Sequence, residues 1–128
     1  MTPEQFIAKA EQSASSARLL FEAGDMDGAS DRAYFSIFSA ARAALLASSA
    51  PVHAEVARTH SGLISAFSLH LVKPGILPVE LGRAFNKALE IRQVADYRGD
   101  PVAPDKAEWI LRQAESFLAT VKSTLLQE

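Results

Sequence analysis

Two short clusters in this chain join an arginine to a tyrosine. The first is Asp31-Arg32-Ala33-Tyr34-Phe35, and the second is Glu90-Ile91-Arg92-Gln93-Val94-Ala95-Asp96-Tyr97. A guanidinium offers a planar fork of charged donors that suits phosphate or carboxylate. A phenol adds a hydroxyl to an aromatic body. Each cluster lies beside an apolar stripe, so packing the two segments together would bring these groups into one polar patch. Such a patch costs stability unless it is satisfied, which makes it a candidate site. Arg92 and Asp96 stand one helical turn apart and can pair on one face, where Asp96 would orient Arg92 toward a ligand phosphate. The plainer alternative is an exposed ion pair worth a few tenths of a kcal/mol. Arg32 is the second candidate phosphate-facing cation; it can also pair with Asp31 or a loop carboxylate, or reach to solvent from the edge of the core.

His60, in Thr59-His60-Ser61-Gly62, is a candidate ligand contact, with a structural role in holding the local backbone as its alternative. His53 and His70 have no partner pattern. The three histidines are not at metal-ligand spacing, so no metal and no cofactor are expected. Ser13, Ser15 and Ser16 read as a polar helix face, not as nucleophiles. No glycine-rich phosphate loop is present.

The elements that must position these groups are helical. The chain has 128 residues, enough for one domain, taken as residues 1–128, with a single core. Hydrophobic residues make up 48%, and the abundance of alanine among them favours helix formation and close helix packing. Thr2-Pro3-Glu4-Gln5 has the form of a capping box, and Gly24 closes the first helix. A second helix is predicted from Asp25 or Asp27 to about Ser48, with Tyr34, Ile37 or Phe38, Ala41 and Leu45 inward. A third segment is predicted over Ala54 to Val72, irregular in its first half around Thr59-His60-Ser61-Gly62. The fourth runs from near Pro78 to about Tyr97, with Val94 or Ala95 inward. The longest loop spans Arg98 to Pro104. Asp105 is expected to cap the fifth helix, with Glu108 completing a box. Nothing alternates as a strand would. The expected fold is all-α, an antiparallel bundle of four to five helices.

Formal net charge is −2 and the sequence pI about 5.9, which argues against tight non-specific nucleic-acid binding but leaves room for a local arginine pocket. The absence of cysteine excludes disulfides and thiolate metal sites. The N-terminus lacks a signal-peptide pattern, and no apolar run would span a bilayer, so a cytoplasmic protein without a membrane role is expected.

The stretch Asp31 to Leu46 resembles the second helix of HEPN-domain proteins, and Thr59-His60-Ser61-Gly62-Leu63-Ile64-Ser65-Ala66-Phe67 resembles their third segment. Arg92-Gln93-Val94-Ala95-Asp96-Tyr97 is similar to the Arg-x-x-Ala-Asp-Tyr ending of the fourth helix in one HEPN branch. The resemblance covers about residues 4 to 125. It implies a HEPN-like bundle that forms a homodimer. It also implies a place in a prokaryotic toxin–antitoxin or defence system, with RNA, a nucleotide or a minimal nucleotidyltransferase protein as partner. Many HEPN proteins are metal-independent ribonucleases with an Arg-x(4-6)-His signature, in which Arg holds phosphate and His moves protons or stabilises charge. Here Arg92 matches the arginine, but Tyr97 stands where that His would be, and no His follows His70. A phenol with an ordinary pKa near 10 is a poor proton acceptor at neutral pH, so the substitution argues against standard ribonuclease chemistry. Arg92, Asp96 and Tyr97 are the catalytic candidates; Arg32, Arg92 and His60 are the ligand-binding candidates. Tyr97 has two further readings: a packed aromatic, or an acceptor for nucleotidylation. A non-catalytic dimeric scaffold is the competing function, and a nucleotide-binding regulatory domain is a third.

Overall fold

Thr2 opens the first helix with the reciprocal box expected of it: its Oγ1 accepts from the Gln5 amide at 3.1 Å, and Gln5 Oε1 accepts from the Thr2 amide at 2.8 Å. The computed structural model describes residues 1–52 and 58–126. Among these are five α-helices: α1 (Pro3–Glu22), α2 (Met26–Ala47), α3 (His60–Phe67), α4 (Val79–Arg98) and α5 (Pro104–Leu125), with a π-helical turn over Ser68–Val72 continuing α3. No strand is found among the described residues.

The turns follow local chemistry. Gly24 takes a positive φ of 89° just past α1, and Asp25 then caps α2 by accepting from the Gly28 amide at 2.8 Å. Two expected boundaries are corrected. Thr59 does not interrupt a longer helix but caps α3, accepting from the Gly62 amide at 3.0 Å. The expected first half of that segment falls mostly on residues 53–57, outside the described residues. Asp105 does not cap α5: the cap is Ala103, Pro104 takes the first helical position, and Asp105 sits in the first turn, where its charge suits the helix dipole.

Pairwise contacts fix the topology. Arg42 lies over Phe6, Ser36 Oγ donates to the Ala10 carbonyl at 2.7 Å, and Arg32 reaches Ser13. As numbers rise along α2 they fall along α1, so the two are antiparallel. Arg18 pairs with Glu115 and Lys122 with Glu11, which sets α5 antiparallel to α1. Ala29, Ala33, Ala40, Ala41, Ala43 and Ala44 are fully buried and let α2 run through the middle of the bundle, touching every other helix. The core is closed by Phe67, Phe85 and Phe117, whose ring centroids lie 5.3 to 6.1 Å apart. Ser13, expected on a polar face, is instead buried between α1 and α2. No helix among the described residues is long and apolar enough to cross a membrane.

Candidate functional site

Asp31, Tyr34 and Phe38 recur at helical spacing on the side of α2 that meets α3 and α4. Tyr34 is fully buried, and its hydroxyl lies 2.7 Å from Nδ1 of His60, the first residue of α3. Arg92, from the last turns of α4, places its guanidinium carbon 5.3 Å from the centre of the Tyr34 ring. Arg92 Nε also lies 3.6 Å from Asp31 Oδ1 and 3.7 Å from Asp96 Oδ2. Three helices thus meet on one phenol: α2 supplies the ring, α3 the imidazole and α4 the guanidinium. His60 is held further by Phe38, whose ring it meets edge-on at 5.3 Å.

Electrostatics fixes the protonation of this group. Burial pushes the Tyr34 phenol up to about 12, against a smaller opposing pull from Arg92. The phenol therefore keeps its proton at neutral pH, and its hydroxyl shares with His60 Nδ1 a hydrogen bond whose direction is set by the imidazole tautomer. His60 is lowered below its ordinary 6.5, first by burial and then by the Arg92 charge, so it is neutral at pH 7. In the tautomer whose Nδ1 accepts from Tyr34, the ring proton sits on Nε2, on the far side of the ring from Tyr34. The site therefore offers the guanidinium N–H groups of Arg92 beside a neutral imidazole, with the Asp31 and Asp96 carboxylates at Arg92 Nε.

Beside Arg92 lies an open cleft of about 270 Å³, bordered by Asp27, Asp31, Asp96 and Asp100. The carboxyl of Asp31 is raised above its usual range, chiefly by burial and next by repulsion from Asp96, Asp27 and Asp25; Arg92 pulls it the other way. Asp27 also fixes the loop after α4, accepting from the Val102 amide at 2.7 Å. Ser30, at the cleft's edge, carries a buried hydroxyl with no partner among the described residues.

Arg92, Asp96 and His60 are brought together. Arg32 is not part of this group: it turns to the α1 side, where Nη2 donates to Ser13 Oγ at 3.0 Å and the guanidinium lies 5.1 Å from the Phe35 ring. One residue along a helix rotates a side chain by about 100°, and that step separates Arg32 from Asp31. Tyr97 does not pack as an aromatic; it is 93% exposed. His70 is half-buried in the π-helical turn, and His53 lies outside the described residues. Tyr34 and Asp31 stood in the first Arg–Tyr cluster but were not named among the catalytic or ligand-binding candidates. The signal for Tyr34 was a phenol at a core position of α2, which needs a hydrogen-bond partner once buried. Among the described residues no group of three or more His, Asp or Glu side chains is placed to hold a metal ion.

The fold is an all-helical bundle with an arginine near the end of its fourth helix set against a tyrosine of its second. The chain belongs to the HEPN family: the HEPN domain model matches residues 3–124. It is 34% identical over 131 residues to the UPF0332 protein glr0978 of Gloeobacter violaceus, covering 99% of this chain and all of that one. It is also 34% identical over 122 residues to a protein of Methanocaldococcus jannaschii named "Putative toxin MJ0605", covering 95% of this chain and 87% of that one. A second protein of that archaeon, named "Putative toxin MJ0142", is 31% identical over 126 residues, covering 98% and 82%.

Proposed function

We propose that the chain is the HEPN component of a two-protein toxin–antitoxin system. It acts as a homodimer and has a minimal nucleotidyltransferase protein as partner. It binds RNA or nucleotide phosphate through Arg92 and His60. Relatives with toxin in their names support the system-level reading. The observation that carries the site is the Tyr34 ring, which holds His60 at 2.7 Å through its hydroxyl and lies under the Arg92 guanidinium. A guanidinium and an imidazole N–H fixed on one rigid ring are pre-organised for phosphate oxygens. Asp96 and Asp31 hold Arg92 by Nε, and among the described residues no hydrogen bond engages its terminal nitrogens.

The same arrangement argues for binding without efficient cleavage. His60 Nδ1 is already engaged by the Tyr34 hydroxyl, and Tyr97, which stands where the motif His would be, is a 93% exposed phenol. The test compares RNA binding, RNA cleavage and growth arrest on expression, for wild type, Arg92→Ala, His60→Gln and Tyr97→His. The expected result is binding that both Arg92→Ala and His60→Gln weaken, with little metal-independent cleavage by wild type. Robust cleavage by wild type would overturn the chemical part of the reading.

The competing reading, a non-catalytic dimeric scaffold, draws on the two carboxylates that already flank Arg92. In that case Arg92→Ala leaves RNA affinity untouched and changes only partner capture or dimerisation.

A further inference from the structure

We propose that the groove between α1 and α2 is a separate binding subsite for an unpaired nucleotide of single-stranded RNA, with the base stacked on the Arg32–Phe35 pair and the phosphate held by Arg32 and Lys9. The inference rests on the RNA-binding reading above but uses none of its residues; Arg32 lies on the α1 side, away from Arg92.

The groove holds about 410 Å³ and is lined by Lys9, Gln12, Ser13, Ser16, Arg32 and Phe35. That is the size of a small-ligand pocket. Its two charged residues are both cations, and no carboxylate lines it among the described residues. The cleft at Arg92 is the reverse, with four aspartates around one arginine. The groove's field therefore favours a polyanion, whereas on the cleft side of Arg92 the aspartates oppose one.

Phe35 is 38% exposed, although it is large and apolar. It is also built in place: its ring stacks on Phe38 at 6.3 Å with 22° between planes, and Arg32 covers it at 5.1 Å. Arg32 is itself fixed by Oγ of Ser13, a residue only 4% exposed. The pair is thus a rigid platform of a guanidinium on an aromatic ring, the surface on which splayed bases stack. Gln12 and Ser16 border it with hydrogen-bonding groups that can meet a base edge or a ribose hydroxyl. A duplex keeps its bases inside and cannot use such a platform, which is why the ligand is a single strand.

The experiment titrates full-length protein with a short labelled oligouridine RNA, and with the same strand in a duplex, across a salt series. Phe35→Ala should weaken single-strand binding by about tenfold without changing the salt slope, since stacking on aromatics is worth ~1–3 kcal/mol per base. Phe35→Trp should preserve affinity, whereas Phe35→Leu, which keeps apolar bulk without a flat face, should not. Arg32→Gln and Lys9→Gln should each flatten the log–log salt slope by about 0.7, the value for one phosphate contact on a single strand. Thermal melting of each variant separates lost folding from lost binding.

Unchanged affinity in Phe35→Ala, Arg32→Gln and Lys9→Gln would overturn the subsite, as would a wild-type preference for duplex or no wild-type binding at all. If Phe35→Ala turns a dimer into a monomer with RNA affinity intact, the groove is an interface between copies and the proposal falls. Arg92→Ala, run in parallel, keeps the two readings apart. Binding lost only in Arg92→Ala rejects the groove alone, and binding lost only in the groove variants rejects the Arg92 site alone.

Discussion

Replacing Arg92 by alanine removes three interactions whose sizes can be set in advance. The guanidinium is 31% exposed and its two carboxylate partners are 54% and 67% exposed, at separations of 3.6 and 3.7 Å. Ion pairs this wet contribute only a few tenths of a kcal/mol each. The contact over the Tyr34 ring adds about 0.5–1 kcal/mol. The total is about 1 kcal/mol, which for a domain of this size lowers Tm by roughly 4 °C. A phosphate held by the same guanidinium loses charge-assisted hydrogen bonds worth about 1.5–3 kcal/mol, or roughly tenfold to a hundredfold in affinity. Binding should therefore suffer more than folding. Arg92→Lys tightens the test: it keeps the charge and most of the stability but loses the planar fork, so affinity still falls.

A second readout comes from the neighbours. Arg92 lowers His60, and it opposes the rise of Asp31. Its removal should move both groups upward, and NMR titration would follow the His60 ring directly. The assay set is thermal melting, RNA affinity and the His60 titration on one set of samples. A drop in Tm of several degrees with RNA and partner binding intact would return Arg92 to a purely structural role. A His60 ring that titrates at the same pH in both proteins would refute the electrostatic coupling.

Other outcomes follow from the same geometry. Tyr34→Phe keeps the ring under Arg92 but removes the hydroxyl, costing about 0.5–1.5 kcal/mol; nitrogen-15 shifts of His60 should then show both neutral tautomers where wild type shows only the Nε2–H form. Because His60 is lowered in the folded protein, the unfolded chain binds its proton more readily, so stability should fall as pH drops from about 6.5 through the lower folded value. Urea midpoints for wild type and His60→Gln check this, with the slope vanishing in the variant. Asp31 has the opposite sign: its raised carboxyl takes up a proton in the folded state first, so stability is gained as pH falls through its folded pKa, and Asp31→Asn should remove that gain. Light scattering at micromolar concentration should give a dimer; a monomer would remove the dimer from the proposed function.

The frame of this fold was legible because its signals are local. The capping box at Thr2, the glycine after α1, and the alanine stripe of α2 each depend on residues a few positions apart. The Arg92–Asp96 pair was legible for the same reason, as a one-turn spacing on α4. What could not be read was the choice between Asp31 and Arg32. Both are polar, adjacent and near a helix start, and only the packing of α2 against α1 on one side and α4 on the other decides which faces which. His60 was expected to hold backbone if it was structural. Thr59 does that instead, and His60 is left to satisfy Tyr34 across twenty-six positions of sequence. The α5 boundary was misplaced because Pro104 already suits the first helical position and so moves the cap back to Ala103.

The charge map gives the two candidate surfaces different roles. Around Arg92, the carboxylates of Asp27, Asp31, Asp96 and Asp100 outnumber the one guanidinium, so an approaching phosphate is repelled from the cleft side. On the other side of the guanidinium stands the His60 imidazole, neutral at pH 7 and free of that acidic field. A cationic partner surface meets the reverse field and is drawn to the aspartates. In the proposed function a strand would meet Arg92 through its terminal nitrogens and a basic partner through the carboxylates that hold Nε. The paired variant Asp31→Asn, Asp96→Asn separates them. By weakening the acidic field it should strengthen RNA binding and weaken capture of a basic partner. Equal losses in both would mean that the aspartates act only by holding Arg92 in place.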